Sequence, residues 1–329
     1  MLIPVLLFIL GLILLVKGGD WFVDGATGLA HRFRVPEIII GATIVSIGTT
    51  LPEVMVSATS ALSGHGEIAY GNAIGSIICN TALISAITIA IKPSKVDRKT
   101  FQLPVLFFFI AAVFYSATAY ISGSFTRITG IVMIILFIIY MTVIMLQTKK
   151  KSAVSIETVS VEAVSDSEAE QEGPLWKSVL LLVVGAALIA VGADLLVDNG
   201  TIIAEKLGVP ESVIALTFVA LGTSLPELVT AITALVKGHS SLSLGNIIGA
   251  NFFNIVLVSG ISTVLSPFSI PAGKMVGGMN TSLVVDIPVM LFVMTFMTLP
   301  ALIRQKLSRT QGILLLAVYA AFCTVQFIF

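Results

Sequence analysis

The chain is cut into about ten apolar segments, most of them close to the 20 or so residues a helix needs to cross a ~30 Å hydrocarbon core. No other feature narrows the fold as much. In lipid every backbone N–H and C=O must be satisfied within the protein, as a helix does within its own segment. Segments this long and continuously apolar read as helices. Composition agrees: 57% of the 329 residues are hydrophobic and 11% charged, against about 25% charged in soluble domains. The apolar spacing predicts helices near Leu2 to Val16, Pro36 to Leu62, Ile68 to Ile91, Leu103 to Ile121 and Ile128 to Leu146. It predicts five more near Trp176 to Val191, Pro210 to Val236, Leu242 to Leu265, Leu283 to Ile303 and Gln311 to Ile328. The expected class is an all-α membrane protein. The first segment has neither a basic n-region nor an A-x-A-like cleavage site, which reads as a retained helix.

Charge adds orientation. Walking the loops alternately, Lys17, Arg32, Arg34, Lys92, Lys95, Arg98, Lys99, Lys149 to Lys151, Lys177, Lys237, Arg304, Lys306 and Arg309 fall on one side. Only Arg127, Lys206 and Lys274 fall on the other. The positive-inside rule then puts the first side in the cytoplasm and both termini outside the plasma membrane. Formal net charge is zero, so bulk electrostatics name no partner, nucleic acid included, beyond the bilayer itself. Cys79 and Cys323 lie in different apolar segments without metal-ligand spacing, and read as small buried hydrophobes.

Hydrophobicity collapses once, between residues 149 and 174, into a lysine triplet followed by a Ser/Glu-rich run holding Glu157, Glu162, Asp166, Glu168, Glu170 and Glu172. This reads as an acidic cytoplasmic linker between a first unit, 1–148, and a second, 175–329. On either side of it the sequence repeats at an offset of 174 residues. Gly41 to Ile84 and Ala215 to Val258 share 16 of 44 positions without a gap. The shared residues include polar and helix-breaking ones, such as Pro52/Pro226, Glu53/Glu227, Asn72/Asn246 and Asn80/Asn254. Five helices per copy is an odd number, so the second copy enters the membrane from the opposite side. The result is two inverted-topology five-helix repeats, an arrangement of secondary transporters.

The repeated residues carry chemistry. GTTLPE, Gly48 to Glu53, and GTSLPE, Gly222 to Glu227, each fall midway along an apolar segment. Proline has no N–H, so the carbonyls of Gly48 and Gly222 lose their helical partners and a break is expected at each motif. Non-helical backbone at membrane depth belongs where it is buried in protein or lines a wet cavity. The glutamate after each proline is costly at the bilayer centre unless paired or coordinated. Thr49 and Thr223 lie four residues before them, on the same helical face. The next segment of each copy reads GNAIGSIICN, Gly71 to Asn80, and GNIIGANFFN, Gly245 to Asn254. Asn72, Ser76 and Asn80 share one helical face, as do Asn246, Ala250 and Asn254, while Gly71/Gly75 and Gly245/Gly249 are small-xxx-small pairs that admit close helices. Beside two carboxylates the asparagines read as ligands. Carboxylate, amide, hydroxyl and carbonyl oxygens without thiolate or imidazole suit Ca²⁺, Mg²⁺ or Na⁺, and a flexible many-oxygen set suits Ca²⁺ better than Mg²⁺. His65 and His239 read as interfacial, and Asp20, Asp24, Asp194, Asp198 and Asp286 as solvated or capping residues near helix ends.

GTTLPE with GNAIGSIICN, repeated as GTSLPE with GNIIGANFFN, resembles the α-repeats of the sodium/calcium exchanger family, in the calcium/cation antiporter superfamily, and its prokaryotic members in particular. The resemblance covers both halves in order. It implies a ten-helix fold, alternating access, three Na⁺ exchanged for one Ca²⁺, no cofactor, and a central site where the two ions compete. The ligands it implies are Thr49, Thr50, Glu53, Ser76 and Asn80 in the first copy. In the second they are Thr223, Ser224, Glu227 and Asn254, with backbone carbonyls near Ser46 and Ala220. Asn254 stands where some relatives have Asp, Ile77 where many have Asn, and Ala250 replaces a hydroxyl-bearing residue. An H⁺/Ca²⁺ antiporter on the same scaffold is the alternative, since a buried carboxylate can cycle through protonation. Proton-coupled relatives usually carry GNxxE-type repeats, which favours sodium here. An enzyme would need a nucleophile–base pair or catalytic acids, and no GxSxG, HExxH or GxGD string occurs.

Overall fold

The computed structural model describes residues 2–159, 174–207, 222–271 and 275–328. They form ten helices: α1 (Leu2–Arg32), α2 (Glu37–Leu62), α3 (Gly66–Ile91), α4 (Arg98–Ser122), α5 (Arg127–Val159), α6 (Leu175–Lys206), α7 (Leu225–Val236), α8 (Ser240–Leu265), α9 (Ser282–Arg304) and α10 (Arg309–Ile328). Eight are long and apolar enough to cross a membrane; α7 is described over 12 residues and α10 runs for 20. The fold is an all-helical membrane bundle, as expected. Of the linker expected over 149–174, residues 160–173 lie outside the described residues, as does the start of the helix expected from Pro210.

Two helices are about twice the expected length. α1 has 31 residues and α6 has 32, which at 1.5 Å per residue is about 46–48 Å, well beyond a ~30 Å core. Such helices tilt or project from the membrane. Hydropathy suggested ends at Val16 and Val191 because large apolar residues thin out there. In α1 their place is taken by Gly18, Gly19 and Gly25, all buried against neighbouring helices. Asp20, Asp24, Asp194 and Asp198 therefore sit inside helices and cap nothing. α5 likewise runs past Thr148 to Val159, through a stretch with no glycine or proline to end it.

The long helices cross backbone to backbone. A Cβ on Gly11 would lie 2.8 Å from the Gly192 carbonyl oxygen and 2.9 Å from the Leu196 nitrogen, and one on Gly192 would lie 2.9 Å from both the Gly11 oxygen and the Leu15 nitrogen. Gly18 meets Gly185 and Ile189 in the same way. At the 174-residue offset Gly11 corresponds to Gly185 and Gly18 to Gly192. Each glycine thus packs on the counterpart of the other, and the chains run antiparallel along the seam. This is the contact pattern of a two-fold axis lying in the membrane plane.

The loops follow the same logic. Gly64 (φ 84°) and Gly238 (φ 90°) end α2 and α7 in left-handed turns. Amides of His65 and His239 bond back to the Ser60 and Ala234 carbonyls at 2.8 and 2.7 Å, closing the same C-terminal cap in both copies. His239 Nδ1 stands 2.7 Å from Glu37 Oε1, an interfacial pair between repeats. Strand β1 (Ser124–Phe125), after α4, pairs with β2 (Phe268–Ser269), after α8. Lys95, after α3, bridges to Lys306, after α9. Loops that strict alternation puts on one face are therefore neighbours in space. A large core of α3, α4, α5, α8 and α9 side chains, including Phe107, Tyr140, Phe252 and Phe253, occupies one flank. A second core around Phe22, Val45 and Ile189 joins α1 and α6 to α2.

Gly185→Ala should lower the thermal midpoint in detergent, since its Cβ would sit 2.5 Å from the Phe22 nitrogen and 2.8 Å from the Gly18 oxygen; overpacking of this kind costs about 1–3 kcal/mol. Val183→Ala, at a position 57% exposed on the same helix, should not. Equal midpoints for the two variants would contradict the seam.

Candidate ion-binding site

The two GTxLPE motifs share a sequence and differ in backbone. Pro52 lies inside the α-helical run Ser46–Leu62, so the expected break is absent there. The irregular turn of α2 comes earlier, as a π-helical stretch over Gly41–Val45. Tyr140 of α5 donates to the Ala42 carbonyl at 2.8 Å, so a side chain from another helix serves a backbone group at membrane depth. In the second copy Pro226 falls in the first turn of α7, where a missing N–H removes no helical bond. Thr223 and Ser224 precede that turn, so Thr223 does not share a helical face with Glu227 as Thr49 does with Glu53.

α3 and α8 match closely. Each contains one π-helical stretch, Asn80–Ser85 and Asn254–Ser259, related by the same offset at both ends. Each begins on a candidate ligand. π-Turns recur at functional sites because they admit an extra residue and re-aim side chains. The stretch opening at Asn80 packs on α7 and α8, and that at Asn254 on α2 and α3. Every asparagine is thereby brought to the other copy's helices as well as its own. No glycine or proline marks these turns, so the sequence carried no signal for them.

Glu53 and Glu227 are fully buried. They stand close enough to interact, and Thr49 and Thr50 border Glu227. Yet none of the four carboxylate oxygens makes a hydrogen bond of normal geometry among the described residues. The same is true of the Thr50 and Ser224 hydroxyls and of the Asn80 and Asn254 carboxamides, all buried. Ser76 is buried on the face of Asn80, and Thr223 is half-buried. The Ser46 hydroxyl lies 2.7 Å from the Gly41 carbonyl and 2.9 Å from that of Asn246, which leaves its backbone oxygen as the candidate donor. Ala220 lies outside the described residues.

Some polar groups are engaged elsewhere. Asn72 donates to Ser57 Oγ at 2.8 Å and to the Glu53 carbonyl at 3.3 Å, bracing α3 against α2. Asn246 accepts from Thr49 at 3.2 Å, across the repeats. Asn251, at the position of Ile77, donates to Thr81 Oγ1 at 2.7 Å and tethers α8 to α3. Thr230, one turn after Glu227, is fully buried with no hydrogen-bond partner among the described residues, a hydroxyl that the motifs did not single out. Its i+3 spacing from Glu227 was the available signal. Asp286, at the end of a π-helical stretch, accepts from Gln326 at 2.6 Å.

Among the described residues no three His, Cys, Asp or Glu side chains cluster as a metal site. The arrangement is two carboxylates surrounded by neutral oxygens. That donor set fits a hard cation and gives a thiophilic one little. A crevice lined by Phe22, Ala186, Ile189 and Ala190 on one side and by Gly48, Thr49, Pro52 and Pro226 on the other separates the long helices from the motifs. Closure across the repeats depends again on glycine. A Cβ on Gly245 would lie 2.2 Å from the Ile38 oxygen, and one on Gly249 would lie 2.2 Å from Ser46 Oγ and 2.7 Å from the Ala42 Cα. Gly71 and Gly75 meet no described atom within 4 Å.

Known proteins share this architecture. The sequence profile of the sodium/calcium exchanger protein family matches residues 3–146 and 177–328. The sodium/calcium exchanger MaX1 of Methanosarcina acetivorans is 30% identical over 98% of this chain and 98% of its own. The inner membrane protein YrbG of Escherichia coli is 34% identical over 81% of each. A solved structure of the sodium-calcium exchanger NCX_Mj soaked with Na⁺ and Ca²⁺ superposes with a TM-score of 0.78 at 33% identity, covering 98% of this chain and 97% of that one.

Gly249→Ala should drive α8 from α2 and displace Ser46 and Thr49 together. The expected outcome is at least a tenfold loss of ion-dependent thermal stabilisation, because backbone atoms cannot yield as flexible side-chain ends do. Unchanged stabilisation by added Ca²⁺ would show that this seam does not position the site.

Proposed function

Because this chain belongs to the sodium/calcium exchanger family, we propose that it exchanges Na⁺ for Ca²⁺ across the cell membrane, binding both by turns at the site between α2, α3, α7 and α8. The observation that carries this reading is the pair of fully buried carboxylates, Glu53 and Glu227, set among unpartnered oxygens. Ionised carboxylates at membrane depth need compensation, and a divalent cation between them supplies it. Glu53 and Glu227 provide the charge. Thr49, Thr50, Thr223, Ser224, Ser76, Asn80 and Asn254 supply neutral oxygens, with the carbonyls near Ser46 and Ala220 completing the set.

Alternating access follows from the inverted repeats: two conformations of near-equal energy exchange the roles of the copies, and the site opens to one face and then the other. The loop charges favour both termini outside and the 149–174 linker in the cytoplasm, and an inward Na⁺ gradient would drive Ca²⁺ extrusion through such an exchanger. The deciding experiment is Ca²⁺ uptake into Na⁺-loaded proteoliposomes, repeated with a pH gradient alone. Uptake on the Na⁺ gradient supports the proposal. Uptake driven only by the pH gradient assigns the scaffold to proton exchange.

Two further outcomes are expected. Glu53→Gln and Glu227→Gln should each abolish Ca²⁺ exchange and leave the thermal midpoint without ligand close to that of the parent protein. Retained exchange in either variant would remove that glutamate from the site. The second outcome concerns voltage. With Asn at 254 the motifs bring a charge of about −2, which one Ca²⁺ neutralises and three Na⁺ overcompensate by one. That residual charge crossing the membrane is worth about 2.3 kcal/mol per 100 mV. An inside-negative potential should therefore accelerate Na⁺-in, Ca²⁺-out turnover, and a reversed potential slow it. Turnover indifferent to potential would indicate two Na⁺ per Ca²⁺.

A further inference from the structure

Lys237, just past the end of α7, reaches across to α1. Its Nζ lies 2.7 Å from Asp24 Oδ1 and 3.5 Å from Asp20 Oδ1, and it donates to the Asp20 backbone carbonyl at 3.0 Å. At the 174-residue offset Asp20 and Asp24 correspond to Asp194 and Asp198 on α6, and Lys237 corresponds to Ser63 after α2. The repeat therefore presents the same two aspartates at the opposite membrane face, with a serine where the ammonium would stand. Among the described residues no cation pairs with Asp194 or Asp198.

Packing has the same one-sidedness. A Cβ on Gly19 of α1 would lie 2.8 Å from both Thr233 Oγ1 and Val229 Cγ1 of α7. α6 touches the matching part of α2 only sparsely. Thr233 and Val229 are half-buried, while their counterparts Thr59 and Met55 are exposed, Met55 to 62%. The register differs too: Gly48 faces Phe22 of α1, but Gly222 faces Val197 of α6, which corresponds to Val23.

We propose that Lys237 is a one-sided latch that holds the α1–α6 pair against α7 and so sets which face of the ion site is closed at rest. The inference rests on the alternating-access reading above. Because α1 and α6 meet backbone to backbone, they move together against the remaining helices. Moving them from α7 towards α2 breaks the contacts of Lys237 with Asp20 and Asp24. Ser63 cannot form the mirror-image bridge, so nothing equivalent is regained. The two conformations that the repeats would otherwise make near-equal are thereby separated, and the loop charges put the latched face in the cytoplasm.

Hydrogen exchange of the full-length protein in lipid nanodiscs tests this without any transport assay, following peptides from 225–239 and from 51–65. Lys237→Ser, which gives the second copy the residue of the first, should speed exchange in 225–239 and slow it in 51–65, each by about fivefold for a partly exposed ion pair. Lys237→Ser combined with Ser63→Lys should carry the protection over to 51–65. Unchanged exchange in both regions, or faster exchange in both without transfer by the double substitution, would overturn the latch. Because the readout needs no bound or moving ion, loss of the latch and loss of the Na⁺/Ca²⁺ assignment remain separable.

Discussion

Glu53 and Glu227 come from different copies, their carboxylate oxygens make no hydrogen bond of normal geometry among the described residues, and both are buried. In a medium that cannot solvate them, the surrounding structure must hold them beside one another and beside oxygens ready to share a cation. Much of the architecture follows from that requirement. α2 and α7 carry the acids, and α3 and α8 carry the amides on π-turns that cross to the opposite copy. Tyr140 and Asn72 donate to backbone carbonyls of α2, and Asn246 accepts from Thr49 across the repeats.

Close approach makes the arrangement workable. Lipid supplies no hydrophobic force between helices, so association rests on packing and on small residues that let backbones meet. Glycines do this at two seams. Gly11, Gly18, Gly185 and Gly192 join the long helices, and Gly41, Gly245 and Gly249 join α2 to α8 across the site. The first seam makes α1 and α6 a single body lying over the crevice beside Thr49 and the two prolines. The second holds α2 and α8 in register where the candidate ligands lie.

The copies are alike in plan and unlike in detail. Pro52 sits within a helix and Pro226 at a helix start. Ala250 stands opposite Ser76, Asn251 opposite Ile77, and Ser63 opposite Lys237. Perfect two-fold symmetry would make the two faces of the membrane energetically equivalent. These departures remove that equivalence, in the neutral side chains at the centre and in ion pairing at the rim.

Much of this was legible in the sequence because the relevant physics is local or periodic. Ten apolar segments dictate helices in lipid, the 174-residue repeat dictates inverted copies, and the acid after the proline in each motif proves to be buried at membrane depth. What the sequence could not determine depends on partners distant along the chain. The extent of α1 and α6 was hidden because interior packing lets glycine replace large apolar residues, so hydropathy fades where the helix does not. The break at Pro52 was wrongly expected because proline's effect depends on the turn in which it falls, and the π-turns at Asn80 and Asn254 carry no residue signature. Asp20 and Asp24 looked like ordinary helix-end acids, and only folding brought Lys237, more than 200 residues away, against them. The sequence by itself determined which residues recur and that they must lie in a membrane; tertiary structure decided which copy's residue meets which, because those contacts join helices that no local pattern can pair.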